Sequence, residues 1–330
     1  MDIPVLGLGL ESSCDETAAA VVRDGRTVLS NIISSQIDLH REYYGVVPEI
    51  ASRAHLETIN LLIERALREA GISFGDLDYV AATSRPGLVG SLLIALQSAK
   101  VISYALGIPL VPVNHLEAHL YAPFLEDREL FFPYIGLLVS GGNTVLYHVR
   151  GVGEMEIVGR TVDDAAGEAF DKIAKYMDLG YPGGPVIEKL ARTITGKGVL
   201  FPKILPEPGD TRFSYSGIKT AVINFLKTNP GADRAGVVHG FQERVLEILV
   251  RRAFTAARER GIRSLVVAGG VAANGRLRQM LHEEKRAGEE VIIASPILCT
   301  DNAAMVAGIG YHYFTAGRTA ELDTDVHARA

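Results

Sequence analysis

A duplicated α/β protein, two lobes of mixed sheet covered by helices, is the fold class this sequence predicts, and three observations predict it. Strand-length apolar runs alternate with helix-length amphipathic segments, the pattern of sheets flanked by helices. A three-strand meander at the start returns near residue 135. In that second copy, shifted by 127 positions, Leu10, Ser13 and Thr17 fall on Leu137, Ser140 and Thr144. Polar turn residues recurring in register, and not only apolar ones, separate a duplication from the chance likeness of any two meanders.

The first meander is VLGLGL, a continuous apolar run, then TAAAVVRDG, closed by an Asp24-Gly25 turn, then RTVLSNIISS. EIASRAHLETINLLIERALREAG reads as a long amphipathic helix and YVAATS as a strand. GLVGSLLIALQSAKVISYALG reads as a buried helix, and PLVPV as a strand leading into NHLEAHL. The second meander lies in YIGLLVSGGNTVLYHVRGVGEMEIVGRT. Helices over about 165–177 and 235–260 follow, then strand SLVVAGG, helix ANGRLRQMLHEE, strand VIIAS and a last helix after Thr300. Two such units imply a cleft between the halves.

The 330 residues suffice for two domains, each with its own core. The formal charge of −6 disfavours nucleic-acid binding by net charge and leaves a local basic patch or a partner to do it. Cys14 and Cys299 are too few for a disulfide framework and fit a reducing compartment. No apolar run approaches the roughly 20 residues that span a bilayer. MDIPVLGLGLESSCDE reads as lacking a basic leader and a cleavage site. The expectation is a soluble cytoplasmic protein with no membrane partner.

NHLEAHL sets His115 and His119 four apart, so a helix stacks both imidazoles on one face, as a metal ion requires. Glu117 lies two residues from each, about 200° around the helix, and points away from that face. That placement argues against a peptidase, whose base must reach a metal-bound water. ESSCDET and VSGGNT are tight turns whose small residues let backbone N–H groups approach an anion. VVAGGVAANGRL joins a strand to a helix through a Gly-Gly pair, placing donors and the positive end of a helix at the cleft, with Asn274 ready for a base or ribose. No G-x-x-x-x-G-K-[ST] occurs, which excludes a P-loop. Carboxylates sit nearby: Asp15, Glu16, Asp163, Asp164, Glu168 and Asp171. Asp171 with Lys172 also fits a solvated surface pair. Gly183 and Gly184 precede a helix carrying Glu188, where backbone donors and a carboxylate can meet a ribose.

Taken together, GLESSCDETAAAVV, YGVVPEIASRAH, TSRPGLVGSLL, VNHLEAHLYAP, LLVSGGNTVL, DDAAGEAFDKIAKYMDLGYPGGP, FSYSGIKTA, VVAGGVAANGRLR and CTDNAAMVA resemble one family. It is the tRNA adenosine threonylcarbamoyltransferases, TsaD-type in bacteria, once described as O-sialoglycoprotein endopeptidases. The blocks run in family order from residue 8 to about 307. The resemblance implies duplicated ribonuclease-H-like lobes in an actin/sugar-kinase/Hsp70-like ATPase fold. It implies domains of 1–131, completed by about 300–330, and 132–299. The implied activity moves the threonylcarbamoyl group of threonylcarbamoyl-adenylate to the exocyclic amine of the adenosine after the anticodon. The tRNAs concerned read codons beginning with A, and AMP is released.

The family's metal ligands map onto His115, His119 and Asp301. Its substrate positions map onto Leu138, Val139, Ser140, Gly141, Gly142, Asp171, Gly184 and Asn274, with Glu188 matching a ribose contact of the archaeal branch. The implied cofactors are one divalent metal per subunit, Fe(II) or alternatively Zn(II), both suited to two histidines and a carboxylate, and an adenine nucleotide (threonylcarbamoyl-adenylate, ATP or AMP). The implied partners are tRNA, an actin-like paralogue and a P-loop ATPase. Two departures are visible: Tyr44 stands where the family has glycine, and Asn143 where bacterial relatives often have histidine.

An adenine amine is a poor nucleophile, so orientation and removal of its proton matter, and Asp15 is the candidate base. Three other readings compete: a small-molecule carbamoyltransferase on the same fold, a metallopeptidase, and a catalytically silent actin-like assembly protein.

Overall fold

Strand β1 (Leu6–Glu11) occupies the middle of a five-stranded sheet, and its Leu8 and Leu10 are fully buried. The structure, a computed structural model, describes residues 3–126, 128–202 and 209–329. β2 (Glu16–Arg23) and β3 (Thr27–Ser35) complete an antiparallel meander, turning at Asp24 and Gly25, both at positive φ. Next come α1 (Ile37–His40), α2 (Pro48–Ala70), β4 (Tyr79–Arg85), α3 (Val89–Leu106), β5 (Leu110–Asn114) and α4 (His115–Tyr121). The sheet order is β3-β2-β1-β4-β5, with β4 parallel to both β1 and β5.

The second sheet repeats this plan. β6 (Tyr134–Val139), β7 (Thr144–Gly151) and β8 (Glu154–Arg160) form its meander. They precede α5 (Ala166–Tyr176), α6 (Gly183–Ala191), α7 (Ser216–Thr228), α8 (Arg234–Glu259), β9 (Ser264–Ala268), α9 (Gly275–Glu284), β10 (Glu290–Ile293) and α10 (Pro296–Cys299). Its order, β8-β7-β6-β9-β10, matches the first sheet strand for strand. The chain divides into two compact units, Met1–Leu130 with Thr300–Ala330, and Phe131–Cys299. Helix α11 (Ala303–Thr315) therefore returns to the first unit, where it packs on β1, β2 and α4.

Three local expectations need correction or explanation. By length and composition α3 is apolar enough to cross a membrane, contrary to the reading that no such run exists. Its buried positions, among them Leu92, Ala95, Leu96, Ala99 and Ile102, recur at helical spacing and pack on β4 and α2, which makes it a covering helix of the sheet. Helix α7 was not among the helices expected. Its start is fixed by Asp163, which accepts from Tyr215 N–H (2.8 Å) and Ser216 N–H (3.3 Å) across about fifty residues of sequence. Tyr44, the departure from the family's glycine, adopts left-handed backbone at φ 53°. Glycine takes that conformation freely, whereas a tyrosine there costs about 1 kcal/mol.

Close approach of α11 to the sheet depends on Gly9. A Cβ at that position would lie 2.3 Å from Ala303 O and 2.6 Å from Ala307 N, both helix backbone. Gly142 faces open space instead. Gly9→Val should destabilise the protein by about 3 kcal/mol, while Gly142→Ala stays within about 0.5 kcal/mol. Denaturant unfolding compares them, and equal midpoints would contradict the packing of α11 on β1.

Candidate metal centre and nucleotide loops

Helix α4 begins directly on its first histidine because Asn114 caps it, its side chain accepting from Leu116 N–H at 2.9 Å. Over this short helix His115 and His119 share one face, rings 4.5 Å apart and nearly perpendicular. Asp301, just before α11, meets them. Its Oδ1 lies 3.0 Å from His119 Nε2 and 3.6 Å from His115 Nε2. The candidate ligand atoms of the three residues all fall within 4.8 Å of one another. Glu117 is buried on another side of α4, where it accepts the Tyr313 hydroxyl. This fits the prediction that it points away from the histidine face.

The sequence reading missed what orients His115. Glu11, fully buried at the end of β1, accepts from His115 Nδ1 at 3.0 Å and from Thr83 Oγ1 at 2.6 Å. Its other oxygen accepts Ser13 N–H at 2.6 Å, and Ser13 Oγ lies 3.2 Å from His115 Nδ1. With the Nδ1 proton directed at a carboxylate, Nε2 turns toward Asp301, the arrangement by which proteins aim a metal-ligating histidine. The available signal was a charged residue ending an otherwise apolar strand.

The electrostatics suit a bound cation. Burial pulls His115 down, but Glu11 and Asp301 outweigh it and push it up to about 9. Burial works against an ionised Asp301, yet the histidines hold it at about 2. Glu16 is pushed up to about 10 by burial and by the Asp301 and Asp15 charges. Two imidazole Nε2 atoms and a carboxylate oxygen converge, and such acceptors require protons or a cation among them. His119 Nδ1 is buried with no partner among the described residues. The donor set therefore suits a divalent transition metal.

Loops of the second unit assemble the remaining expected positions. Leu138 and Val139 lie in β6 with fully buried side chains, so only their backbone can reach a ligand. The Ser140–Asn143 turn is closed by Ser140 N–H to Asn143 O at 2.8 Å and by Asn143 N–H to Ser140 Oγ at 3.1 Å. Gly141, Gly142, Gly184 and Gly270 each have open space where a side chain would sit. The same turn touches the start of α5 at Gly167 and the end of β9 at Gly269, where a Cβ would fall 2.6 Å from Ser140 O and 2.4 Å from Val139 O.

Asp171 is not a surface partner of Lys172, which pairs instead with Asp164 and Glu168. It accepts Gly183 N–H at 2.6 Å and ties the Gly-Gly pair to α5. Glu188 accepts Gly275 N–H at 2.9 Å and pairs with Arg192. Asn274 caps α9 through Leu277 N–H at 3.0 Å and donates to Gln242 at 3.0 Å. Both side chains thus brace the loops around them. Asp15 lies in the β1–β2 turn of the first unit, half-buried.

His115 stands above its ordinary value of 6.5. In metal-free protein its charged pairing therefore contributes stability that is complete below about pH 6.5 and lost as pH rises through about 9. A metal needs the bare Nε2, so at pH 7 binding should release close to one proton per chain and tighten about tenfold per pH unit. Calorimetry in buffers of different ionisation enthalpy measures this. Binding without proton release would exclude His115 as a ligand.

A sequence model of the family described as tRNA N6-adenosine threonylcarbamoyltransferase, TsaD, matches residues 27–308. The protein of that name from Symbiobacterium thermophilum is 52% identical over 324 residues, 96% of this chain and 94% of its own. That from Syntrophotalea carbinolica is 50% identical over 329 residues, 98% of this chain and 96% of its own. Among solved structures, HypF from T. kodakarensis aligns with TM-score 0.64 at 15% identity, over 96% of this chain and 49% of that one. The (R)-2-hydroxyglutaryl-CoA dehydratase component A from Acidaminococcus fermentans aligns with TM-score 0.56 at 17% identity, over 95% of this chain and 100% of that one. Identities this low show the fold alone, an actin-like ATPase fold.

Proposed function

This chain belongs to the tRNA N6-adenosine threonylcarbamoyltransferase family, and we propose that His115, His119 and Asp301 form the metal centre of its transfer reaction. The protein is a transferase that modifies the N6 position of an adenosine in tRNA. The observation that carries the metal assignment is the convergence of two imidazole Nε2 atoms on one Asp301 oxygen. A divalent ion bound there supplies a Lewis acid for the carbamoyl carbonyl or a counter-charge for phosphate. Fe(II) is our first choice and Zn(II) the second, both compatible with two histidines and a carboxylate.

Around that centre the chain's own groups position and exclude. Glu11 and Ser13 hold the His115 ring, and Asn114 fixes where α4 begins. Asp15, in the adjoining turn, is the proposed acceptor of the N6 proton. The adenylate is assigned to the second unit, where the open Gly141-Gly142 turn and the start of α6 offer backbone N–H groups to phosphate and ribose. Supporting this, Asp171 and Glu188 fix those loops from behind and leave their glycines clear.

The distribution of charge supports tRNA contact through the second unit. Phe131–Cys299 holds 22 Lys and Arg against 18 Asp and Glu, whereas the rest of the chain holds 11 against 21. The actin-like paralogue and P-loop ATPase stay proposals. Exposed Leu56 and Leu61 on α2 and Val101 and Tyr104 on α3 favour a protein partner on the first unit.

At subsaturating tRNA the transfer rate should fall by about tenfold or more between 50 and 200 mM salt, as phosphate contacts are screened. A flat salt profile would contradict electrostatic docking. Glu117→Gln should keep transfer within about threefold, because the side chain is occupied with Tyr313 away from the histidine face. Loss of transfer in that variant, with metal retained, would revive a base role for Glu117. Gly184→Val should weaken AMP binding about tenfold or more by filling the open approach to α6. Calorimetric titration gives the comparison, and unchanged affinity would move the nucleotide elsewhere.

A further inference from the structure

The turn between β1 and β2 is held by three consecutive carbonyls, each accepting from a different part of the chain. Ser13 O accepts Leu88 N–H at 2.9 Å, and Asp15 O accepts Gln36 N–H at 2.9 Å. The middle carbonyl, Cys14 O, lies 3.0 Å from His55 Nε2 on α2. Two of the three donors are backbone. His55 alone is a side chain, and it is fully buried.

Its surroundings dictate its tautomer. A carbonyl can only accept, so Nε2 carries the proton and Nδ1 is the acceptor. Nδ1 then receives the Thr17 hydroxyl at 2.7 Å and a Gln36 amide N–H at 3.2 Å. Gln36 Oε1 accepts in turn from His40 Nε2 at 3.2 Å, and His40 Nδ1 accepts Val47 N–H at 3.4 Å. His40, Gln36 and Thr17 are all buried. One direction of donation runs from the start of α2, through two histidines, to the turn. Burial lowers His55 from its ordinary value, which keeps the ring neutral as this direction demands.

We propose that His55 is a positioning residue of the transferase, holding the Cys14–Asp15 peptide in the orientation that the metal-centre turn needs. In a planar trans peptide the Asp15 N–H points opposite to the Cys14 carbonyl. Anchoring that carbonyl on α2 therefore aims the N–H away from α2 and prevents the peptide from rotating. On either side of this peptide sit Ser13, whose hydroxyl touches the His115 ring, and Asp15, the proposed base. Without the Nε2 donor, the buried carbonyl loses its partner and the peptide can turn over. That reverses a dipole and displaces Asp15 while His115, His119 and Asp301 stay in place. A histidine that merely fills the core would act through its shape, whereas this role requires a donor at the Nε2 position.

The inference rests on the metal-centre reading, and its test separates the two. His55→Leu removes the donor and keeps an apolar side chain, and His55→Gln restores an amide N–H near the Nε2 position. The full chain and both variants are given threonylcarbamoyl-adenylate, unmodified tRNA and the partner proteins that support transfer. In His55→Leu, kcat should fall about 100-fold, the size expected of a misplaced catalytic group. Its KM for tRNA should stay within about twofold and its bound metal should be unchanged. His55→Gln should recover kcat to within about fivefold of the unaltered chain. Full activity in His55→Leu, equal losses in both variants, or a kcat loss matched by metal loss would each overturn the proposal.

Imidazole 15N spectra of the unaltered protein at pH 7 supply a measurement independent of turnover and of variant folding. A neutral, Nε2-protonated His55 is expected, and an Nδ1-protonated or charged ring overturns the proposal. Failure of the unaltered chain to transfer would count against the metal-centre reading, with the spectrum still judging His55.

Discussion

The first unit is organised around one buried carboxylate. Glu11 ends the central strand with no exposure to solvent, and an unpaired carboxylate there would cost several kcal/mol. Its partners come from the following turn, from β4 and from α4: Ser13 N–H, the Thr83 hydroxyl and His115 Nδ1. Satisfying Glu11 therefore fixes three elements relative to β1 at once. It also selects the histidine tautomer that turns Nε2 toward Asp301. The interaction with His115 outweighs burial and holds the Glu11 carboxyl below its usual range. Strand, turn and histidine helix behave as one unit whose geometry follows from placing a single charge in the core.

Duplication gave the two units the same sheet and the same turn, and the residues in the turns give them different character. In the first unit the turn is braced by three external donors to its carbonyls and sets the Ser13 hydroxyl against the His115 ring. In the second it is closed on itself by Ser140 and Asn143, and its two glycines leave the backbone open. A rigid turn with side-chain chemistry suits group transfer, and an open glycine turn suits phosphate. Asp171 and Glu188 stiffen the second set of loops by accepting N–H groups at the starts of α6 and α9.

Much of this was legible in the sequence, for physical reasons that also explain what was not. The meanders could be read because strand periodicity and turn chemistry are local. His115 and His119 were visible together because four residues is one helical turn. Asp301 was reached only through family resemblance, since nearly two hundred residues separate it from its partners. Glu11 escaped notice because a single charge after an apolar strand reads as the start of a loop, and its burial depends on Thr83 and His115. The internal duties of Asn274, Glu188 and Asp171 were hidden for the same reason, each being a contact across elements. Helix α3 was read as a buried helix, but that it is also long and apolar enough to span a bilayer was not, and hydropathy alone does not distinguish the two.

The central claim is that a metal held by His115, His119 and Asp301 is required for threonylcarbamoyl transfer to tRNA. The most direct measurement strips the protein of metal, restores it in graded amounts, and counts threonylcarbamoyladenosine in digested tRNA by mass spectrometry at each loading. The account predicts that modification rises linearly with bound metal and saturates at one ion per chain, with no rise when Asp301 is replaced by alanine. Undiminished transfer by the stripped protein, or restoration by metal in Asp301→Ala, would contradict it.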